Sequence, residues 1–159
     1  MTKFRSGKNT VGYPKNDELY TPKYIFDALN VEFDLDVCAP HEGPLHTPTK
    51  RHICACCGDG LTDPWEGFIF MNPPYSKPAP WIDKFIEHGN GIAVLPMNGN
   101  GKWVRTIWNS EARTILMPPN VPFINREGVS KLSWYAISLW GIGDQGIKAL
   151  QHCEFGNIR

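Results

Sequence analysis

The sequence predicts an α/β domain built on a mostly parallel central sheet with flanking helices, and three observations predict it. Short apolar or alternating runs, bounded by proline and glycine, take turns along the chain with helical stripes, the order that parallel crossovers require. The 159 residues are 42% hydrophobic with six tryptophans, enough for one core but not for two. The tetrapeptide Asn72-Pro73-Pro74-Tyr75 follows directly on an apolar run, at the strand end where such sheets bind ligands.

The elements follow in order. Residues 1–15 are rich in Lys, Gly and Asn without periodicity and are expected to be a flexible arm, leaving 16–159 as a single domain. Thr21-Pro22 opens a helix with Thr21 as its cap and Ile25, Phe26 and Leu29 as its stripe. Val31, Phe33, Leu35 and Val37 alternate with Glu32, Asp34 and Asp36, a strand pattern. Residues 38–60 show no period and read as a long irregular connection, and 68–71 read as a buried strand. Trp81, Ile82, Phe85 and Ile86 share one face of a helix ending near Gly89; residues 92–95 form a strand stopped by Pro96. Trp103, Val104, Ile107 and Trp108 repeat the helical stripe, 114–117 form a strand, and 133–140 form the last one.

Composition narrows the function classes. The formal net charge is zero, so there is no global basic field, although Lys3, Arg5, Lys8 and Lys15 precede the first acidic residue and Lys50-Arg51-His52 makes a second cluster. This balance is compatible with DNA without requiring it. There is no signal-like segment and no apolar run near the ~20 residues of a membrane helix, so a cytoplasmic protein without membrane contact is expected. Five cysteines, an odd number, make a disulfide framework unexpected. His52, Cys54, Cys56 and Cys57 offer soft ligands, but adjacent Cys56 and Cys57 fit one tetrahedron badly, so no metal is expected. Residues 99–102, Gly-Asn-Gly-Lys, lack the first glycine and the Ser/Thr of a phosphate loop, which excludes nucleotide hydrolysis on that motif.

The Asn72 motif carries the chemistry. Proline after Asn72 disfavours a helical backbone there, and Pro73 presents a free carbonyl beside the Asn72 amide oxygen. Two acceptors take both hydrogens of an amino group, while the Tyr75 ring lies on the face of the base that carries it. Asn72, Pro73, Pro74 and Tyr75 are therefore the candidate catalytic residues.

With Tyr20-Thr21-Pro22, residues 33–39, Asp59-Gly60-Leu61, Trp65, residues 72–76, Trp81, residues 93–96, Trp103 and Val121-Pro122-Phe123 in this order, the chain resembles the phage-type Dam family of DNA N6-adenine methyltransferases over about residues 17–140. The resemblance implies a Rossmann-like, S-adenosylmethionine-dependent methyltransferase fold. It also implies S-adenosyl-L-methionine as methyl donor and double-stranded DNA as partner, with no obligatory protein partner. Carried over to this sequence, Tyr20, Thr21 and Pro22 pack against the methionine part of the donor. Asp36, Cys38 and Ala39 lie at its amino-acid end, and Asp59 accepts from its adenine amino group. One departure is the absence of a glycine between Asp36 and Gly43, where many enzymes of this fold have a glycine-rich turn. Asp59 also reads as a simple Gly-Asp-Gly turn. Base recognition is expected from loops 97–102 and 118–131, through Asn98, Asn100, Lys102, Asn120, Asn125 and Arg126. Alternatives stay open: another amino acceptor (cytosine N4, RNA guanine, protein glutamine), or a degenerate, non-catalytic DNA-binding domain.

Overall fold

The computed structural model describes residues 18–97, 101–125, 127–133 and 136–159. The expected arm, and the recognition candidates Asn98, Asn100 and Arg126, lie outside the described residues. In chain order the elements are α1 (Lys23–Leu29), β1 (Phe33–Ala39), β2 (Thr49–Cys54), β3 (Ile69–Met71), α2 (Ala79–His88), β4 (Gly91–Pro96), α3 (Lys102–Trp108) and β5 (Arg113–Leu116). They continue with β6 (Pro122–Ile124), β7 (Ser130–Leu132), β8 (Ile137–Ile142) and α4 (Gly143–Gln151).

Six strands form one sheet in the order β2-β1-β3-β4-β8-β5. The first four run parallel, and β8 is antiparallel to both β4 and β5. Alternate residues of the central strands feed two cores, which is why these strands read as unbroken apolar runs. Phe68, Phe70, Ile92 and Val94 join Ile25, Phe26 and Leu29 of α1 and Leu150 of α4 on one face. Ile69, Met71, Ala93 and Leu95 join Trp81, Ile82 and Phe85 of α2 and Ile107 of α3 on the other. Helices therefore cover both faces of a mixed α/β sheet. Among the described residues, no helix is long and apolar enough to cross a membrane.

Four expectations need correcting. The connection expected to be irregular contains β2, a mostly exposed edge strand paired in parallel with β1. Its residues Thr49-Lys50-Arg51-His52 show no apolar alternation because neither face is covered, so only the pairing defines the strand. The last strand is displaced to 137–142 and runs antiparallel, while β7 pairs with β6 in a separate hairpin. Thr21 is not the cap of α1: Pro22 holds that position without a side-chain hydrogen bond, and the Thr21 hydroxyl is used elsewhere. Cys54 and Cys56 are joined by a disulfide, although no bridge was expected.

Candidate active site

Strand order reverses between β1 and β3, since β1 has β2 on one side and β3 on the other. Beyond the carboxyl ends of such a pair the crossovers diverge and leave a crevice. Asp36 to Ala39 end β1 and Asn72 immediately follows β3, so the topology brings the two predicted segments together.

Asn72 is held from the side opposite its motif. Its Nδ2 donates to Leu19 O at 3.3 Å and to Thr21 Oγ1 at 3.1 Å. A carbonyl only accepts, so Leu19 O fixes which end of the amide faces it and leaves Oδ1 as an acceptor on the other side. Segment 18–22 is itself secured. Tyr20 N–H donates to Ile124 O at 2.8 Å, tying it to the β6–β7 hairpin, and Glu18 accepts from His41 N–H at 3.1 Å. Pro22 is buried behind this segment at the start of α1.

Two small cavities flank Cys38. The first is lined by Tyr20, Thr21, Asp36, Cys38 and Asn72, with Leu45 and His46 from the 40–47 loop. Asp36 is 3% exposed, accepts from Cys38 N–H at 3.2 Å and is hydrogen-bonded by Thr47. Burial pushes its carboxyl up to about 7, against those two hydrogen bonds, which favour the ionised form. A cation entering this cavity would find a carboxylate short of compensating charge. Asp34, two residues earlier, behaves differently: its oxygens accept from exposed Lys50 and from Phe68 N–H, and these contacts hold its carboxyl below the usual range.

The second cavity is lined by Val37, Cys38, Ala39, Ile53, Pro74 and Trp81, with Gly58 and Gly60 along its rim. These surfaces suit a flat, weakly polar group. Asp59 lies between the two glycines and its Oδ1 accepts from Leu61 N–H at 2.9 Å, closing the turn. Gly60 is needed for close approach, because a Cβ there would overlap the Val37 carbonyl and the Trp81 ring. No glycine turn follows β1 because the strand itself continues through Ala39.

Lys84, which carried no motif, anchors this turn. Its Nζ donates to the carbonyls of Gly60, Leu61 and Asp63 and lies 4.8 Å over the Trp65 ring. Trp65 Nε1–H reaches Gly60 O at 2.7 Å and its ring stacks on Trp81. Desolvation lowers the Lys84 pKa, but its neighbours Asp63 and Asp59 oppose the shift. Lys84→Met should lower stability by about 2 kcal/mol, because part-buried carbonyls lose their donor. It should also loosen the rim of the second cavity, so that ligand affinity falls more than turnover. Chemical denaturation with a KM-against-kcat comparison checks both.

Tyr75 is half-buried. Its hydroxyl donates to Val94 O at 3.3 Å, its ring meets Phe123 edge-on at 6.2 Å, and burial raises its pKa. The phenol is thus an anchor and not an acid. Of the recognition candidates described, Asn125 closes the hairpin turn by accepting from Val129 N–H at 2.8 Å, Asn120 has a left-handed backbone, and Lys102 is exposed at the start of α3.

Sequence reasoning missed Leu19, Leu45, His46, Thr47, Ile53 and Lys84. None stands in a pattern; tertiary contact alone brings them in.

A family model for DNA N-6-adenine-methyltransferase (Dam) matches residues 8–133. A protein of Haemophilus phage HP1 (strain HP1c1) named DNA N-6-adenine-methyltransferase is 29% identical over 118 residues, covering 67% of this chain and 66% of that protein. The chain thus spans just under two thirds of that relative's length. No solved structure matches.

Proposed function

The chain belongs to the DNA N-6-adenine-methyltransferase (Dam) family, and from that premise we propose that it transfers a methyl group to the N6 amino group of an adenine in double-stranded DNA. The observation that carries the reading is the Asn72 side chain. It is clamped through its NH2 end by Leu19 O and Thr21 Oγ1, with its oxygen left to accept, beside the switch-point crevice.

The adenine amino nitrogen is a weak nucleophile because its lone pair is delocalised into the ring. Acceptance of its two hydrogens by Asn72 Oδ1 and the Pro73 carbonyl favours a pyramidal nitrogen. It also offsets the positive charge that develops there during transfer. Because the amide is already fixed, little reorganisation is needed at the moment of reaction. No cysteine nucleophile is required.

S-adenosylmethionine, when bound, supplies an electrophilic sulfonium methyl group. The residues present fit it: buried Asp36 offers a carboxylate for an ammonium group, and the surfaces of Ala39, Pro74 and Trp81 offer a flat apolar slot. Tyr20, Thr21 and Cys38 would complete the polar end, and Asp59 the rim of the slot. Pro22 supports this segment from behind. The parallel strands with helices on both faces and a crevice at the switch point support the Rossmann-like methyltransferase reading.

A duplex hides the target nitrogen in a base pair, so the base must leave the stack, at a cost of a few kcal/mol partly recovered by stacking. Tyr75, pinned through its hydroxyl, is the stacking platform. Tyr75→Ala should lose about 1–3 kcal/mol of substrate binding. Tyr75→Phe should keep turnover, since it removes only the bond to Val94 O. Single-turnover rates with duplex DNA distinguish them; equal losses would remove Tyr75 from this role.

The direct test is methyl transfer from labelled S-adenosylmethionine to unmethylated duplex DNA, followed by nucleoside digestion and mass spectrometry. N6-methyladenine is expected. N4-methylcytosine would move the acceptor, and donor binding without any methylated nucleoside would move the substrate to RNA or protein. Absence of donor binding would leave a degenerate, DNA-binding domain.

A further inference from the structure

We propose that His52, Cys54 and Cys57 form a zinc site at the carboxyl end of β2, independent of the methyl-transfer reading. The sequence alone argued against a metal because Cys56 and Cys57 are adjacent. The fold resolves that objection by choosing Cys54 and Cys57, which are separated by two residues, the spacing of thiolate zinc turns. Parallel pairing of Ala39 with Cys54 pins the strand end. His52 lies two residues earlier and so projects from the same face of β2. After Cys54 the chain folds back, with the Cys57 and Gly58 N–H groups both donating to Cys54 O at 3.0 Å. That turn brings Cys57 Sγ to 2.8 Å from Cys54 Sγ, where it also accepts from Cys54 N–H. One donor atom from each of the three residues lies within 4.8 Å of the others.

The donor set is soft, two sulfurs and one imidazole, which selects zinc over magnesium or calcium. Sulfurs at about 2.3 Å from a tetrahedral zinc lie about 3.7 Å apart, so Cys57 Sγ need move outward by only about 1 Å. Cys54 is buried while His52 and Cys57 are exposed, giving the ion a route in and a fixed ligand to meet. Gly58 leaves room behind the turn for the Asp63 carboxylate, which a Cβ there would displace.

The Cys54–Cys56 bridge uses the same Cys54 sulfur, so bridge and metal exclude one another. The metal-competent form is the dithiol. It arises when two equivalents of an external thiol deliver two electrons and two protons, breaking the Cys54–Cys56 bond and leaving as their own disulfide. Zinc then displaces the protons of Cys54 and Cys57. Ile53, Cys54 and Gly58 line the second cavity, so the ion braces that wall.

Cobalt(II) titration tests the site, because thiolate ligation gives charge-transfer and tetrahedral visible bands. The full chain, reduced and freed of metal, should take up one cobalt with both bands, and zinc should displace it. Cys57→Ser should abolish the bands. Cys56→Ser, kept reduced, should keep them, because Cys56 is not a ligand and its bridge to Cys54 can no longer form. Absence of bands in reduced Cys56→Ser, or equal bands with and without Cys57, would overturn the proposal.

Discussion

Replacing Asn72 by alanine should reduce methyl transfer by at least about 10²–10³-fold, the scale on which one preorganised electrostatic partner counts, with a much smaller loss of donor affinity from the cavity wall that Asn72 shares. The side chain contributes the only oriented side-chain acceptor of the motif. Truncation also releases Leu19 O and Thr21 Oγ1 from their shared donor. Asn72→Asp separates these two roles. It keeps an acceptor for the substrate amino group but turns an oxygen onto the Leu19 carbonyl, so activity between wild type and Asn72→Ala is expected. Calorimetry for donor binding and single-turnover kinetics for transfer decide the matter; an Asn72→Ala enzyme that turns over normally sinks the mechanism.

The second large effect concerns Asp36 and pH. Its folded-state pKa is about 7, raised mainly by burial, whereas an unfolded aspartate titrates near ~4. The folded chain therefore holds this proton to higher pH than the unfolded chain does. The stability it contributes is full below the unfolded pKa and is lost as pH rises through about 7. Asp36→Asn should remove this decline, leaving unfolding midpoints flatter between acid and neutral pH. Donor binding should show the opposite slope. An ammonium group needs the ionised carboxylate, so affinity rises by about tenfold per pH unit below the pKa and levels above it, with proton release on binding. Calorimetry in buffers of different ionisation enthalpy reads that proton. A donor affinity flat across neutral pH would separate Asp36 from the donor.

The readable parts of the fold share one property: their residues are covered. Residues 68–71 and 92–95 announced strands because both faces feed a core, and Trp81, Ile82 and Phe85 announced α2 because one stripe does. The edge strand β2 is mostly exposed, so its polar residues had no reason to alternate. The antiparallel insertion of β8 between β4 and β5 is equally silent, since an apolar strand buried on both faces reads the same in either direction. At the site, the Asn-Pro-Pro-Tyr loop was legible because its backbone restrictions and its acceptors are properties of those four residues. Asp36 was legible as an acid at a strand end, but not its raised pKa, which depends on what surrounds it.

What the residues alone carry is the α/β order of elements, the Asn72 motif and an acid at the end of the first strand; the proposed amino-group chemistry rests on the donor and acceptor inventory of that motif. Those features are local: proline geometry, strand period and side-chain donor inventory travel with the residues. The tertiary structure alone decided that Thr21 clamps Asn72 instead of capping α1, and that Lys84 holds the Asp59 turn through three carbonyls. It alone decided that Cys54 meets Cys57 across a turn. The first two join residues far apart in the chain through packing that no linear spacing encodes, because the free energy that selects them comes from burying the whole sheet at once; the third needs the local turn that Cys54 O closes.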